Sequence, residues 1–168
     1  MKKIDIAEAG EMGRLLHRIG KERMLITAGR PGNLGTMTAS WGGLGVLWHR
    51  PMATIFVRPE RHTYGFLEAE ESFSIAFFGP QYEEALTFCG KNSGRDVDKL
   101  AVCGFTVAQG SEGGLYFEEA ELALLCKKRY RAPLELDLMT GFDPGPYYGS
   151  HGGVHTMYMG EIVEVYTA

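Results

Sequence analysis

Three short segments carry the side chains best suited to hold a ligand. The first is GTMTASW, Gly35 to Trp41, in which two threonines and a serine lead to a tryptophan. The second is RPERHT, Arg58 to Thr63. Its Arg58 and Arg61 guanidinium forks suit phosphate oxygens bidentately, and Thr63, as a helix cap, would stand where free backbone N–H groups point at an anion. The third is NSGRDVDK, Asn92 to Lys99, which brings Ser93, Arg95 and Lys99 into one glycine-containing loop. Hydroxyls, arginines and backbone N–H groups ligate phosphate, while tryptophan and methionine suit a flat aromatic guest. For the second and third segments the competing reading is a solvent-exposed polar turn. The recurrence of the same chemistry beside Trp41 favours a ligand that is both anionic and aromatic.

Other chemistries find less support. No GxGxxG follows a strand and no GxxxxGK[ST] occurs; GGLG at Gly42 to Gly45 has the wrong spacing for either phosphate-cradling loop. There is no HExxH, and His151 and His155 have no cysteine or carboxylate at metal-ligand spacing, so no metal site is assigned. No GxSxG frames a nucleophilic serine, which disfavours hydrolase chemistry, and no side chain is assigned as a catalytic base.

The chain of 168 residues is long enough for one domain with its own core, and 45% hydrophobic with 23% charged residues is ordinary globular usage. The net charge of -4 is spread through the sequence, and the densest basic run, Leu125 to Arg131, is short and reads as a solvated face rather than a nucleic-acid footprint. Cys89, Cys103 and Cys126 are odd in number and widely spaced, which suits buried free thiols in a reducing compartment better than a disulfide framework or a zinc site. MKKIDIAEAG has no apolar stretch of signal-peptide length, and no run approaches membrane-spanning length, so the expectation is a cytoplasmic protein without a membrane partner.

Periodicity places the elements that must position these residues. Ala9, Met12, Leu15, Leu16 and Ile19 predict an amphipathic helix over Ala7 to Ile19, ended by Gly20. Met24 to Gly29 and Gly35 to Trp41 read as paired strands about a turn at Pro31-Gly32. Gly42 to Pro51 reads as an irregular loop or short helix, Met52 to Pro59 as a strand, and Tyr64 to Glu70 as a short helix capped by Thr63. Phe73 to Phe78 is a strand, and Tyr82, Ala85, Leu86 and Cys89 mark a second surface helix. Glu121 to Tyr130 fits a strand or a short helix. His155 to Thr167 reads as one long strand with Thr156, Tyr158, Gly160, Ile162, Glu164 and Tyr166 on a single face. Six or so strands with three inserted helices and no regular alternation predict a mainly β fold, a barrel with peripheral helices, in a single domain over residues 1–168.

The run TMTASWGGLGVLWHRPMATIFVRPERHTYGFLE, with NSGRDVDK and the closing HTMYMGEIVEV, resembles the flavin reductase-like family of FMN-binding split-barrel proteins. The resemblance spans roughly Met24 to Val165 and implies a six-stranded FMN-binding split β-barrel, a homodimer, and FMN held near the subunit interface. It implies that Thr36, Thr38, Ala39, Ser40 and Trp41 line the flavin, that Arg58, Arg61, His62 and Thr63 receive the ribityl phosphate, and that Ser93, Gly94, Arg95 and Lys99 border the same site. His155 matches a position where the family often has a histidine beside the cofactor. Two positions depart from it: an asparagine would be expected at Gly35 and often a tyrosine at His62. The implied activity is electron transfer from NADH or NADPH to flavin and on to a small-molecule or protein acceptor. The alternatives are an FMN-containing carrier reduced by a protein partner, and a flavin- or haem-binding module without activity.

Overall fold

The computed structural model describes residues 9–149 and 152–168; Ala7 of the expected first helix and His151 lie outside them. Helix α1 runs over Glu11–His17 and continues as a π turn over Arg18–Glu22. Gly20 therefore does not end it, and the chain reverses at Arg23, with φ 72°. Only part of the expected apolar stripe is used. Ile19 is buried and Leu15 packs on the core, whereas Met12 and Leu16 face solvent.

Nine strands follow among the described residues: β1 Met24–Arg30, β2 Asn33–Ala39, β3 Gly42–Leu47, β4 Arg50–Val57, β5 Ser72–Phe77, β6 Val107–Gln109, β7 Leu115–Phe117, β8 Leu122–Pro133 and β9 Thr156–Thr167. Seven of them make one sheet in the order β2-β1-β5-β8-β9-β4-β3, and β6 and β7 form a separate two-stranded ladder. The protein is thus mainly β, with one more strand in its main sheet than the six expected, and that sheet is an open ladder rather than a closed barrel. The segment Glu121 to Tyr130, left between strand and helix by periodicity, enters β8. Its place between β5 and β9 decides the matter, because every partner there is extended.

The unexpected strand is β3. It pairs with β4 from Gly42↔Ile55 to Leu47↔Arg50 through a two-residue turn in which Trp48 and His49 take φ 55° and 59°. Positive φ at both central residues is the geometry that fits a hairpin's twist, and it is normally signalled by Asn-Gly. Trp-His carries no such signal, so the hairpin could not be read from the residues. Trp48 is consequently 57% exposed and belongs to no core.

The sheet has two buried faces. One curls around a core that joins Met24, Ile26, Met37, Ala53, Ile55, Phe73, Ile75, Leu124 and Tyr158, drawn from both halves of the strand order. The other packs Leu25, Ala76, Ala123 and Leu125 against Leu86, Cys89, Phe105 and Phe117. Helix α3 (Glu83–Lys91), helix α4 (Lys99–Cys103) and the small ladder supply this second layer. The β8–β9 register slips between Leu125↔Glu164 and Cys126↔Ile162, so Val163 is an extra residue in β9. A single inserted residue reverses which side chains face which side. Ile162 accordingly packs on the first core while Tyr166 packs on the second, so the single face expected from Thr156 to Tyr166 is divided at this bulge.

Helix α2, His62–Ala69, lies across β1 and β2. Its cap is Arg61, in extended conformation, and Thr63 is buried one position inside the helix rather than capping it. The close approach depends on Gly35. A Cβ there would stand 2.6 Å from Phe66 Cδ2 and 2.9 Å from the Thr63 Cα. The missing side chain at Gly35 therefore sets how near α2, and with it Arg61 and His62, comes to β2. Gly35→Ala is expected to destabilise the protein by about 1–3 kcal/mol, the usual range for overpacking, because a backbone atom cannot move aside as a side chain can. Urea unfolding of the two proteins at equal slope measures the difference.

Candidate functional site

The three segments found in the sequence converge along one trough. At one end, Met37, Thr38, Ala39, Ser40, Trp41, Phe56, Arg58, Arg61 and His155 enclose a pocket of about 270 Å³. At the other, Arg61, His62, Thr63, Ser93, Arg95 and Lys99 border a smaller hollow of about 170 Å³, together with Glu60, whose carboxylate accepts from the Gly153 N–H. Met37 and Arg61 line both, so the two spaces abut at those residues. Sequence alone had singled out neither Met37 nor Phe56. Both alternate with residues facing other ways in apolar strands, and nothing in their type separates a pocket wall from a core position.

The polar end has buried polar atoms with no protein partner. Among the described residues, nothing hydrogen-bonds Arg61 Nη2 or His62 Nδ1, although both atoms are buried. A buried polar atom left unpaired costs about 1–3 kcal/mol, more for a charged group, so two of them in one hollow call for a ligand of complementary chemistry. Burial lowers the pKa of Arg61 below its usual value. Burial also lowers that of His62, followed by the charges of Arg95 and Lys99, with Asp96 opposing. An anion in the hollow would offset these penalties. The hollow therefore fits a phosphate.

Gly94 makes this arrangement possible by its absence of a side chain, since a Cβ would lie 2.6 Å from His62 Nδ1. The loop around it is internally braced. Arg95 N donates to Ser93 Oγ at 3.2 Å and Arg95 Nη1 to the Glu60 carbonyl at 3.1 Å, which ties the third segment to the second. Asp98 caps α4 by accepting from the N–H groups of Leu100 and Ala101.

Two of the expected residues serve the frame more than the trough. The Thr36 hydroxyl lies 3.0 Å from that of Thr27 and also reaches the Ile26 carbonyl, so it faces β1. Lys99 is buried, with Nζ donating to the carbonyls of Thr36 and Cys89 at 2.8 Å each. Thr38 lines the larger pocket, but its hydroxyl donates to the Leu86 carbonyl. Arg58 is likewise engaged elsewhere: Nη2 donates to the Tyr147 carbonyl at 2.6 Å, and its guanidinium lies 5.4 Å from the centre of the Tyr148 ring. Of the two arginines, it is Arg61 that borders the Ser93 hollow.

The apolar end is aromatic. Trp41 is 41% exposed, and its ring lies 4.8 Å from that of His155 and 5.8 Å, edge-on, from Tyr147. Tyr147 and Tyr148 belong to the short helix α5, Gly145–Tyr148, which the sequence reading did not include. Gly153 donates its N–H to the Glu60 carboxylate, and this bond, first among several, holds Glu60 below the usual carboxylate range. The Tyr148 hydroxyl meets His155 Nδ1 at 3.1 Å. Burial, and then the Arg58 charge, brings His155 down to about 4, with Glu60 opposing, so His155 is neutral at pH 7.

The comparisons bear on the family and the fold. The family model described as the flavin reductase like domain matches residues 16–168, and the chain belongs to that family. No curated protein sequence matches it. Among solved structures, a flavoredoxin from Methanosarcina acetivorans superposes at a TM-score of 0.68 with 22% identity, over 88% of this chain and 68% of the other. An FMN-binding protein from Thermus thermophilus gives 0.68 at 20% identity, covering 99% and 80%. An NADH:FAD oxidoreductase from Streptomyces globisporus gives 0.65 at 18%, covering 100% and 88%. These likenesses establish a shared fold. Among the described residues there is no cluster that could hold a metal ion, and no helix is long and apolar enough to cross a membrane.

The depressed histidine gives a pH signature. The unfolded chain binds a proton at His155 near pH 6.5, whereas the folded one resists it until about 4. The stability tied to neutral His155 is thus fully present above pH 6.5 and is lost as pH falls towards 4. In His155→Gln, the fall in unfolding free energy between pH 7 and pH 4 should be shallower than in the parent chain. Urea titrations at the two pH values read the change of slope.

Proposed function

We propose that this protein is an FMN-binding oxidoreductase that passes reducing equivalents from NADH or NADPH to flavin, and that its curled seven-stranded sheet is the split barrel of its family. The observation that carries the reading is the pair of unpartnered buried nitrogens, Arg61 Nη2 and His62 Nδ1, at one end of a trough whose other end is walled by Trp41 and His155. A phosphate at the first end and an aromatic ring system at the second is the outline of FMN. Family membership points the same way. So do the FMN-binding protein and the NADH:FAD oxidoreductase among the similar structures.

In this reading, Arg61 and His62 hold the phosphate with Ser93 and Arg95 at its rim, while Gly94 gives His62 the room to face it. Thr38, Ala39, Ser40 and Trp41 line the ring system. Bound FMN supplies the hydride- and electron-accepting chemistry, for which the chain has no side-chain equivalent. The chain's part is to orient and to exclude water. His155 is neutral and engaged with Tyr148, so it positions the Trp41 ring rather than delivering a proton. Lys99 and Thr36 act through the frame, by fixing the Ser93 loop to β2.

The tethered α5 segment favours a second reading. Tyr147 stands edge-on to Trp41 while Arg58 holds its carbonyl, which narrows the approach a nicotinamide would need. An FMN-containing carrier reduced by a protein partner needs no such approach. Anaerobic mixing of FMN-loaded protein with NADH, then NADPH, separates the two. Saturable bleaching faster than that of free FMN is expected; bleaching by dithionite alone would leave the carrier.

The phosphate end has its own test. Arg61→Ala should weaken FMN about tenfold or more, the effect of one charge-assisted hydrogen bond of roughly 1.5–3 kcal/mol, and leave riboflavin nearly unchanged. Calorimetric titration with both ligands measures it, and equal losses would move Arg61 from the phosphate to the frame.

A cytoplasmic homodimer completes the proposal, with a small molecule or a protein as acceptor. Val46 and Trp48, exposed on the β3–β4 hairpin, are the anchors it would use. Light scattering at micromolar concentration, where a dimer mass is expected, checks the assembly.

A further inference from the structure

Cys89 and Cys103 are 14 positions apart in the chain, in α3 and α4, yet their Sγ atoms lie 3.8 Å from each other. A disulfide needs about 2.05 Å, so a small side-chain rotation and a slight approach of the helices close the gap. The two thiols are unequal. Cys89 is fully buried, while Cys103 is partly exposed and donates to the Ala85 carbonyl. The third thiol, Cys126, is sealed in the sheet against the Leu124 carbonyl. We propose that Cys89 and Cys103 form a reversible, peroxide-driven disulfide that covalently closes the loop carrying Ser93, Gly94, Arg95 and Lys99.

The chemistry divides according to access. The sulfur of the partly exposed Cys103 attacks one oxygen of hydrogen peroxide, breaking the O–O bond to give a sulfenic acid and one water. The Cys89 sulfur then attacks the Cys103 sulfur. An S–S bond forms, the S–O bond breaks, and the Cys89 proton leaves with the departing hydroxyl as a second water. Two thiols are oxidised and one peroxide is reduced. Burial, and then the neighbouring Cys103, raise the pKa of Cys89. It is thereby kept as a resolving thiol and does not meet the oxidant first.

The loop consequence follows from connectivity. Helices α3 and α4 bracket residues 92–98, and Lys99 Nζ already binds the Cys89 carbonyl, so the pair sits at the loop's closed end. A covalent link there removes the openings in which the two helices separate.

Reduced full-length protein, treated with stoichiometric hydrogen peroxide while folded and then alkylated in denaturant, provides the test. Three alkylated cysteines should fall to one, with Cys126 the survivor and the Cys89 and Cys103 peptides recovered joined. Dithiothreitol should restore all three. Amide exchange across 92–98 should slow severalfold in the oxidised form. Over-oxidation of Cys103 beside a free Cys89, a chain-to-chain link through Cys103, or three intact thiols would each overturn the pairing. Unchanged exchange in the linked protein would overturn its hold on the loop. None of these readouts contains flavin, so the pair stands or falls apart from the proposed cofactor.

Discussion

The Lys99 ammonium, 6% exposed, donates to one carbonyl of β2 and one of α3, and the trough depends on those two bonds. Among the described residues no carboxylate pairs with it; burial lowers its pKa, with Arg61 adding in the same direction and the two cysteines opposing. A buried charge without a counter-ion is tolerated only where its donors are met, and hydrogen bonds to a charged group are worth roughly 1.5–3 kcal/mol each. Here they join the strand bearing Thr38 to the helix preceding the Ser93 loop. The ammonium also contributes to the positive field over the hollow beside Arg61 and His62, without reaching into it as a ligand would.

Close approach of backbone is the second constraint. Gly35 allows α2 to rest on β2, and Gly94 allows the third segment to rest on His62. Glycine at position 35, where the resemblance led to an expected asparagine, thus has a structural use in this chain. Space that a side chain would fill goes to Phe66, and the helix that presents Arg61 and His62 moves in. The basic run near Arg131 is equally local in its use. Lys127 pairs with Glu112 and Arg131 with Glu68, solvent-facing pairs of the kind that contribute little to stability, while Arg129 shares the less exposed Glu161 with Arg50.

Electrostatics and packing divide the trough between them. At the aromatic end burial strips His155 of charge and Tyr148 engages its ring, while the Arg58 and Arg61 guanidinium groups line the same pocket. Residues Arg58 and Glu60 belong to the rim: each spends its charge on the backbone of the 145–153 region, and they hold the aromatic cover near Trp41.

What the residues determined by themselves was local and chemical. Apolar runs bounded by Pro-Gly and polar turns forecast β1, β2, β4, β5 and β9, because strand pairing needs only the right side chains in alternation. Arginines, hydroxyls and a tryptophan at GTMTASW, RPERHT and NSGRDVDK picked out three segments that the fold brings to adjoining pockets. The remainder depended on contacts between distant residues. β3 exists because Trp48 and His49 accept positive φ to close a hairpin, and β8 is a strand because β5 and β9 flank it. The Val163 bulge splits a face that alternation alone would keep whole. Lys99 and Thr36 turned from ligand candidates to braces, and Arg58 to a rim contact, because hydrogen-bond partners from β1, α3 and α5 reach them first. Side-chain type states what a residue can bind; only the packed fold decides which partner arrives within bonding distance.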